Sequence, residues 1–212
     1  MAYSDFTLTQ VRRILGIEQH KVDNLFGNQL IEIEPSIFLK ADIEDGLSSP
    51  MSTEKAKSEL IIYPVLKELK RLNPKAFAIF SGYTFNVDES RQLNGMCDFL
   101  ITLKADIVEP EAPIFCLVEA KNGVIEDGFG QCTAEMVAAR ISNEQDNKSV
   151  DIIYGCVTNA VEWIFLKLEG NTIHIDATKY LIDRLPRLLG VFQNILNQYQ
   201  DETQGNPTPN TI

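Results

Sequence analysis

Gly95-Met96-Cys97-Asp98-Phe99-Leu100-Ile101-Thr102-Leu103 and Pro113-Ile114-Phe115-Cys116-Leu117-Val118-Glu119-Ala120-Lys121 are two apolar runs that each carry charge near one end. Both are rich in aromatic and branched residues, which suits strands. Between them lie Asp106, Pro110 and Pro113, which discourage strand, so the pair reads as a hairpin. If Asp98 faces Glu119, then Leu103 faces Ile114, and opposed residues point to one face of the sheet. Strand period two adds Lys121 to the face of Glu119. Leu100, Phe115 and Leu117 are expected to accompany these charges. Cys97, Phe99, Ile101, Cys116, Val118 and Ala120 are expected on the other face. Charges on such strands cost free energy unless paired or bound to a metal. An ion pair explains any one of them; two carboxylates and an ammonium together point to a site.

Outward from the hairpin, apolar Leu60, Ile61, Val65, Leu66 and Leu69 predict a helix over 53–72, capped by Ser52 or Thr53 and kinked at Pro64. Strands are expected at 76–85, 95–103, 113–121 and 149–158. A second helix is expected over 129–141, and a hairpin over 162–176 around Gly170-Asn171. A C-terminal helical segment follows from 177 to 200, broken at Pro186. On the N-terminal side, 7–15 reads as a short capped helix. Residues 29–40 suggest a strand or hairpin, and 41–52 a loop punctuated by Gly46 and Pro50. The order predicts an α/β domain with a mixed sheet flanked by helices. It divides into an extension over 1–50, a core over 51–200 and a disordered tail over 201–212.

The 212 residues, 44% hydrophobic and 23% charged, suit one globular domain. No apolar run has the ~18 residues of a membrane span, and the N-terminus lacks a secretory pattern, so a cytoplasmic protein without membrane contact is expected. Cys97, Cys116, Cys132 and Cys156 are scattered and read as buried thiols; neither His20 nor His174 is near them in sequence, which argues against zinc. A net charge of −11 opposes a protein that coats nucleic acid. Residues 51–75 run against that trend, with six basic side chains against three acidic.

Asp98, a hairpin, then Glu119-Ala120-Lys121 resembles the PD-(D/E)xK nuclease superfamily, which includes restriction endonucleases, Holliday-junction resolvases and RecB-type exonucleases. Cys97 stands where the family name has proline. Glu59, in Ser58-Glu59-Leu60-Ile61-Ile62-Tyr63-Pro64, matches the acidic residue of the family's first core helix. Gln131, in Gly128-Phe129-Gly130-Gln131, matches the polar residue of the following helix, with Glu135 one turn on. The stretch from Val157 to Asn171 is similar to the N-terminal nuclease domain of type I restriction motor subunits. The resemblance covers roughly 53–176 and implies a restriction endonuclease-like three-layer α/β/α fold with a mixed central sheet.

It also implies a chemistry. Mg²⁺ or Mn²⁺ would be held by Asp98, Glu119 and the Ala120 carbonyl, with Glu59 completing the shell through water. Such an ion polarises a phosphate oxygen and acidifies a bound water. Lys121 would stabilise charge developing on the phosphorus, and Gln131 would position the nucleophile or touch the phosphate. The expected activity is hydrolysis of DNA phosphodiester bonds by an endonuclease or phosphodiesterase, with a homodimer as a candidate assembly. The alternative is a nuclease-fold module without cleavage that binds or regulates through a protein partner.

Overall fold

The computed structural model describes residues 2–27 and 30–203. In chain order the principal elements are α1 (Leu8–Gln10), continued by a π turn Val11–Leu15, β1 (Glu18–Val22) and α2 (Ile37–Ser48). A long helix follows as α3 (Glu54–Lys57), a π turn Ser58–Ile62 and α4 (Tyr63–Leu72). Then come β2 (Ala78–Thr84), β3 (Met96–Thr102), β4 (Ile114–Ala120), α5 (Phe129–Gln145) and β5 (Ile152–Thr158). The chain continues through β6 (Glu162–Glu169), β7 (Thr172–Asp176), β8 (Tyr180–Leu181) and α6 (Leu185–Thr203).

The strands form one mixed sheet ordered β1-β7-β6-β5-β4-β3-β2, with β8 paired to β6. Two antiparallel meanders, β2-β3-β4 and β5-β6-β7, join through the parallel pair β4/β5. A parallel pair needs a crossover, and α5 supplies it. α2, the long helix and α6 cover one face, packing Leu39, Ile61, Leu66 and Phe192 against Phe99, Val118 and Trp163. α5 and residues 2–17 cover the other, where Tyr3, Phe6, Cys132 and Met136 meet Leu100, Leu117 and Ile164. The protein is thus α/β, with helices on both faces. Residues before position 51, expected as an extension, contribute to both cores and to the sheet. All four cysteines are buried and free. No helix among the described residues is long and apolar enough to cross a membrane.

The β3/β4 register pairs Phe99 with Val118, Leu100 with Leu117 and Ile101 with Cys116, as the hairpin reading requires. It then shifts, because Thr102 pairs with Ile114, so Leu103 does not face Ile114. Phe115 is the extra residue of this bulge and turns to the α6 face, its ring 4.9 Å from that of Tyr199. Phe115 was expected beside the charges. Cys97 departs in the opposite sense, packing with Leu100 and Leu117 instead of Phe99. The β2/β3 ladder skips Gly82 and Asp98 at that point, and Gly82 adopts φ 60°, a conformation glycine tolerates.

The region before the long helix corrects the sequence reading. Residues 37–48 are helix, where a strand and then a loop were expected. Ser36 caps it by accepting from Leu39 N at 3.1 Å, and Leu39, Ile43 and Gly46 form its buried stripe. A Cβ on Gly46 would lie 2.6 Å from the Leu60 carbonyl oxygen. That carbonyl is the one Pro64 has no N–H to serve, so the helix passes Pro64 through a π turn, with Tyr63 N bonding Ser58 O, instead of breaking. Pro186 likewise starts α6 instead of interrupting a helix, and 177–184 hold β8 and a tight turn. β1 escaped the sequence reading because Glu-Gln-His-Lys-Val has no apolar alternation. The expected tail over 201–212 begins inside α6, and 204–212 lie outside the described residues.

Glu68 ties α2 to α4. It is 4% exposed and accepts from Ser36 N and Ser36 Oγ, both at 2.9 Å, and from Arg71 Nε and Nη2 at 2.9 and 2.7 Å. The Arg71 hydrogen bonds, with those of Ser36, overcome burial and hold its carboxyl down at about 2. Glu68→Ala is expected to destabilise the protein by about 2–4 kcal/mol, since it strands the Ser36 cap and the Arg71 guanidinium. A depressed folded pKa gives stability that is present above the ordinary carboxylate range and lost as pH falls toward 2. Urea melts of wild type and Glu68→Gln at pH 7 and pH 3 should therefore converge at the lower pH.

Candidate active site

β3 and β4 part beyond the Phe99–Val118 pair, and the site fills the opening. Asp98 Oδ2 accepts from Ala120 N at 2.8 Å, standing in for a strand carbonyl. Lys121 N continues the pairing with β5 through Thr158 O at 2.8 Å. The Lys121 ammonium turns back, 2.7 Å from Glu119 Oε1 and 2.9 Å from Gln131 Oε1. Gln131 Nε2 then donates to Glu135 Oε1 at 3.1 Å, one turn along α5. Gly128 allows α5 to start this close: a Cβ there would be 2.6 Å from Val157 Cγ1 and 3.0 Å from Lys121 Cε.

Asp98, Glu119, Lys121, Gln131 and Glu54 line a cavity of about 270 Å³. Ala2, Tyr3 and Ser4 form part of its wall. That segment is held by Tyr3 N to Asn94 O at 3.0 Å and Tyr3 Oη to Phe85 O at 2.8 Å.

Four of the five side chains expected at the site divide cleanly from the fifth. Asp98, Glu119, Lys121 and Gln131 come together, with Ala120 buried between the two ends of the motif. Glu59 does not join them. Its side chain is 66% exposed, lies 3.9 Å from Lys55 and borders a separate depression with Asp42 and Asp45. Glu54 occupies the place expected of it and accepts from Asn122 N at 3.2 Å. Five residues turn a helix by roughly 140° beyond a full turn, so the two glutamates cannot share a face. The available signal was position: Glu54 directly follows the Thr53 cap, and a helix end can reach a strand end. Lys57 was also missed; its ammonium donates to Lys121 O at 3.2 Å and Asn122 O at 2.7 Å, fixing the turn after the motif.

Four acids, Asp98, Glu119, Glu135 and Glu54, surround one ammonium here. Burial, and then the charge of Asp98, push the Glu119 carboxyl up, with Lys121 pulling the other way. Burial raises Asp98 despite the Ala120 N–H. Glu135 is fully buried and is pushed well up by that burial and by Glu119. Burial opposes the charge of Lys121, but Glu119, Glu54 and Asp98 together outweigh it and the ammonium is stabilised. Glu119 Oε2 and Glu135 Oε2 are buried with no hydrogen-bond partner, a rare condition for carboxylate oxygens.

Among the described residues no group of three or more His, Cys, Asp or Glu side chains is assembled as a metal cage. A small hard cation does not require one, since Mg²⁺ is commonly held by one or two carboxylates with water and phosphate completing the shell. Two adjoining carboxylates that resist full ionisation, one with an unpartnered oxygen, fit such a cation. No protein-family model matches the chain, and no curated protein matches it.

Asp98→Asn should lower the Glu119 pKa toward the ordinary carboxylate range, which carboxyl-carbon NMR titration would read directly. A raised folded pKa gives stability present below the unfolded value and lost as pH rises through the folded value. Glu119→Gln should therefore gain stability relative to wild type as pH climbs above the ordinary glutamate range.

Proposed function

We propose that the protein is a divalent-metal-dependent nuclease that hydrolyses DNA phosphodiester bonds on a restriction endonuclease-like fold of the PD-(D/E)xK type. The observation that carries this reading is the meeting of Asp98, Glu119 and Lys121 in one cavity, with Glu54 from the preceding helix and Gln131 from the following one. The element order supports it: a helix, a three-stranded meander, then a helical crossover to a parallel strand.

Asp98 and Glu119 would hold Mg²⁺ or Mn²⁺, which supplies Lewis-acid polarisation of a phosphate oxygen and acidification of water. Glu54, across the cavity, is placed to take a water of that ion. Lys121 has three N–H donors, of which Glu119 and Gln131 take two. The third is left for a nonbridging phosphate oxygen or the attacking water, and the two anchors keep the ammonium aimed while charge develops. Glu135, through Gln131, sets which end of that amide faces Lys121.

One observation favours the second reading, a nuclease-fold module that acts through a protein partner without cleaving. Three of the six basic side chains of the strip are engaged by the fold itself: Arg71 with Glu68, Lys70 with the Phe77 carbonyl, and Lys57 with Lys121 O and Asn122 O. On a chain of net charge −11 this leaves little to attract a phosphate backbone.

The two readings separate in a Mg²⁺ or Mn²⁺ titration with plasmid and single-stranded substrates. The nuclease reading expects cleavage, with metal binding lost in Asp98→Ala and Glu119→Ala. Lys121→Ala should keep much of the metal affinity and lose at least about a hundredfold in rate. Cleavage retained in Lys121→Ala would place the activity elsewhere, and metal binding without cleavage of any substrate would move the conclusion to the partner-binding module.

A further inference from the structure

The chain contains two histidines, 154 residues apart in sequence by position, and the fold makes them neighbours. His20 on β1 and His174 on β7 are direct cross-strand partners, with ring centroids 5.5 Å apart and planes inclined at 59°. Metal–nitrogen bonds of about 2.0–2.1 Å put the centroids of two imidazoles that share a tetrahedral ion roughly 5 Å apart. The observed spacing is close to that value before any side chain moves.

We propose that His20 and His174 form a two-imidazole binding site for a borderline divalent transition metal, Zn²⁺, Ni²⁺, Cu²⁺ or Co²⁺, which staples β1 to the sheet. Imidazole nitrogen suits these ions and not Mg²⁺, so the hard cation proposed for the carboxylate site does not compete for the histidine pair. Water completes the coordination, in keeping with the absence of a three-residue cage among the described residues.

The surrounding charge fits a cation. The register places Glu18, Thr172 and Glu169 in the row next to His20, His174 and Lys167, on the same face. Glu169 Oε2 is 3.8 Å from His174 Nε2 and 2.9 Å from Lys167 Nζ, so this glutamate screens the lysine from the rings. Glu18 adds a second carboxylate. Burial, and then Lys167, lower the pKa of His174, with Glu169 opposing.

The site also answers a packing question. β1 is a sheet-edge strand with four exposed residues and a half-buried fifth, Val22. Besides its parallel ladder to β7, it is tied by Glu18 N to Asn171 O and by Ala177 N to Val22 O, both 2.8 Å. So little apolar burial leaves it to these backbone bonds and to Gln19 Nε2, which donates to Leu8 O at 3.0 Å, and a metal bridging β1 and β7 would oppose its opening.

Calorimetry and histidine ring-proton NMR with Zn²⁺ or Ni²⁺, on the full chain and on His20→Ala, His174→Ala and Asp98→Asn, test the assignment. One ion should bind wild type and Asp98→Asn alike, shift both imidazole spectra and slow amide exchange across 18–22. Both histidine variants should lose these effects while keeping the wild-type circular dichroism spectrum. Absence of binding, binding unchanged in either histidine variant, or binding lost in Asp98→Asn would overturn it. None of these results depends on whether the carboxylate site cleaves DNA.

Discussion

Glu119 is 3% exposed at the end of a strand in which all seven residues are buried. Keeping a carboxylate in such a place costs several kcal/mol unless its charge is met or its proton is kept. The surrounding structure supplies the first at short range through Lys121 and leaves room for the second. Lys121 can stand there because β4 pairs onward with β5 through its backbone, while Gln131 on α5 holds its ammonium. α5 can approach because Gly128 has no side chain to strike Val157 or Lys121. Asp98 can approach because β3 leaves the ladder at Gly82 and caps the Ala120 N–H with a side chain.

Glu68 shows what the same residue looks like when it serves the fold alone. It too is almost fully buried, yet every neighbour favours its charge: a bidentate arginine, a backbone N–H and a serine hydroxyl. Its pKa falls. Glu119 has one cation shared among several acids, an oxygen without a partner, and a pKa pushed upward. A carboxylate satisfied on all sides is finished as an interaction, whereas one left short of positive charge is stabilised by whatever cation arrives. Perturbed acids gathered in a cavity are the usual physical mark of a site, and the contrast between these two glutamates applies that mark within one chain.

The sheet was legible where apolar runs were long and their ends were punctuated. The β3/β4 register followed from placing two charges opposite each other across a proline-bearing loop, and it holds from Phe99 to Ile101. It fails at Phe115, because a bulge conserves no alternation and an apolar residue can serve either face. α2 was misread because residues 29–40 alternate weakly, as a strand does; its helical stripe of Leu39, Ile43 and Gly46 includes a glycine whose value lies only in close approach to Leu60. Glu59 was named on a motif match, whereas Glu54 on the same helix is the one that reaches the cavity. Rotation about the helix axis separates the two, and sequence spacing shows that rotation only when the partner strand's position is known. The His20–His174 pair was invisible, since β1 carries no hydrophobic period and its partner strand is more than a hundred residues away.

The position of the site follows from the topology more than from any single side chain. β4 has an antiparallel neighbour on one side and a parallel one on the other, so at its C-terminal end β3 is arriving while the connection to α5 is leaving. Crevices outside the carboxyl ends of strands, where connections diverge, are where α/β sheets leave room for ligands. Here the crevice is bounded by the first turn of α5, whose Gln131 faces inward, by the start of α3 with Glu54, and by Ala2–Ser4. Helix starts present backbone N–H groups and the positive end of the helix dipole. Two of them meet at a place where the side chains are acidic. That combination is what the proposed cation on the carboxylates, with an anion lying over it, would satisfy.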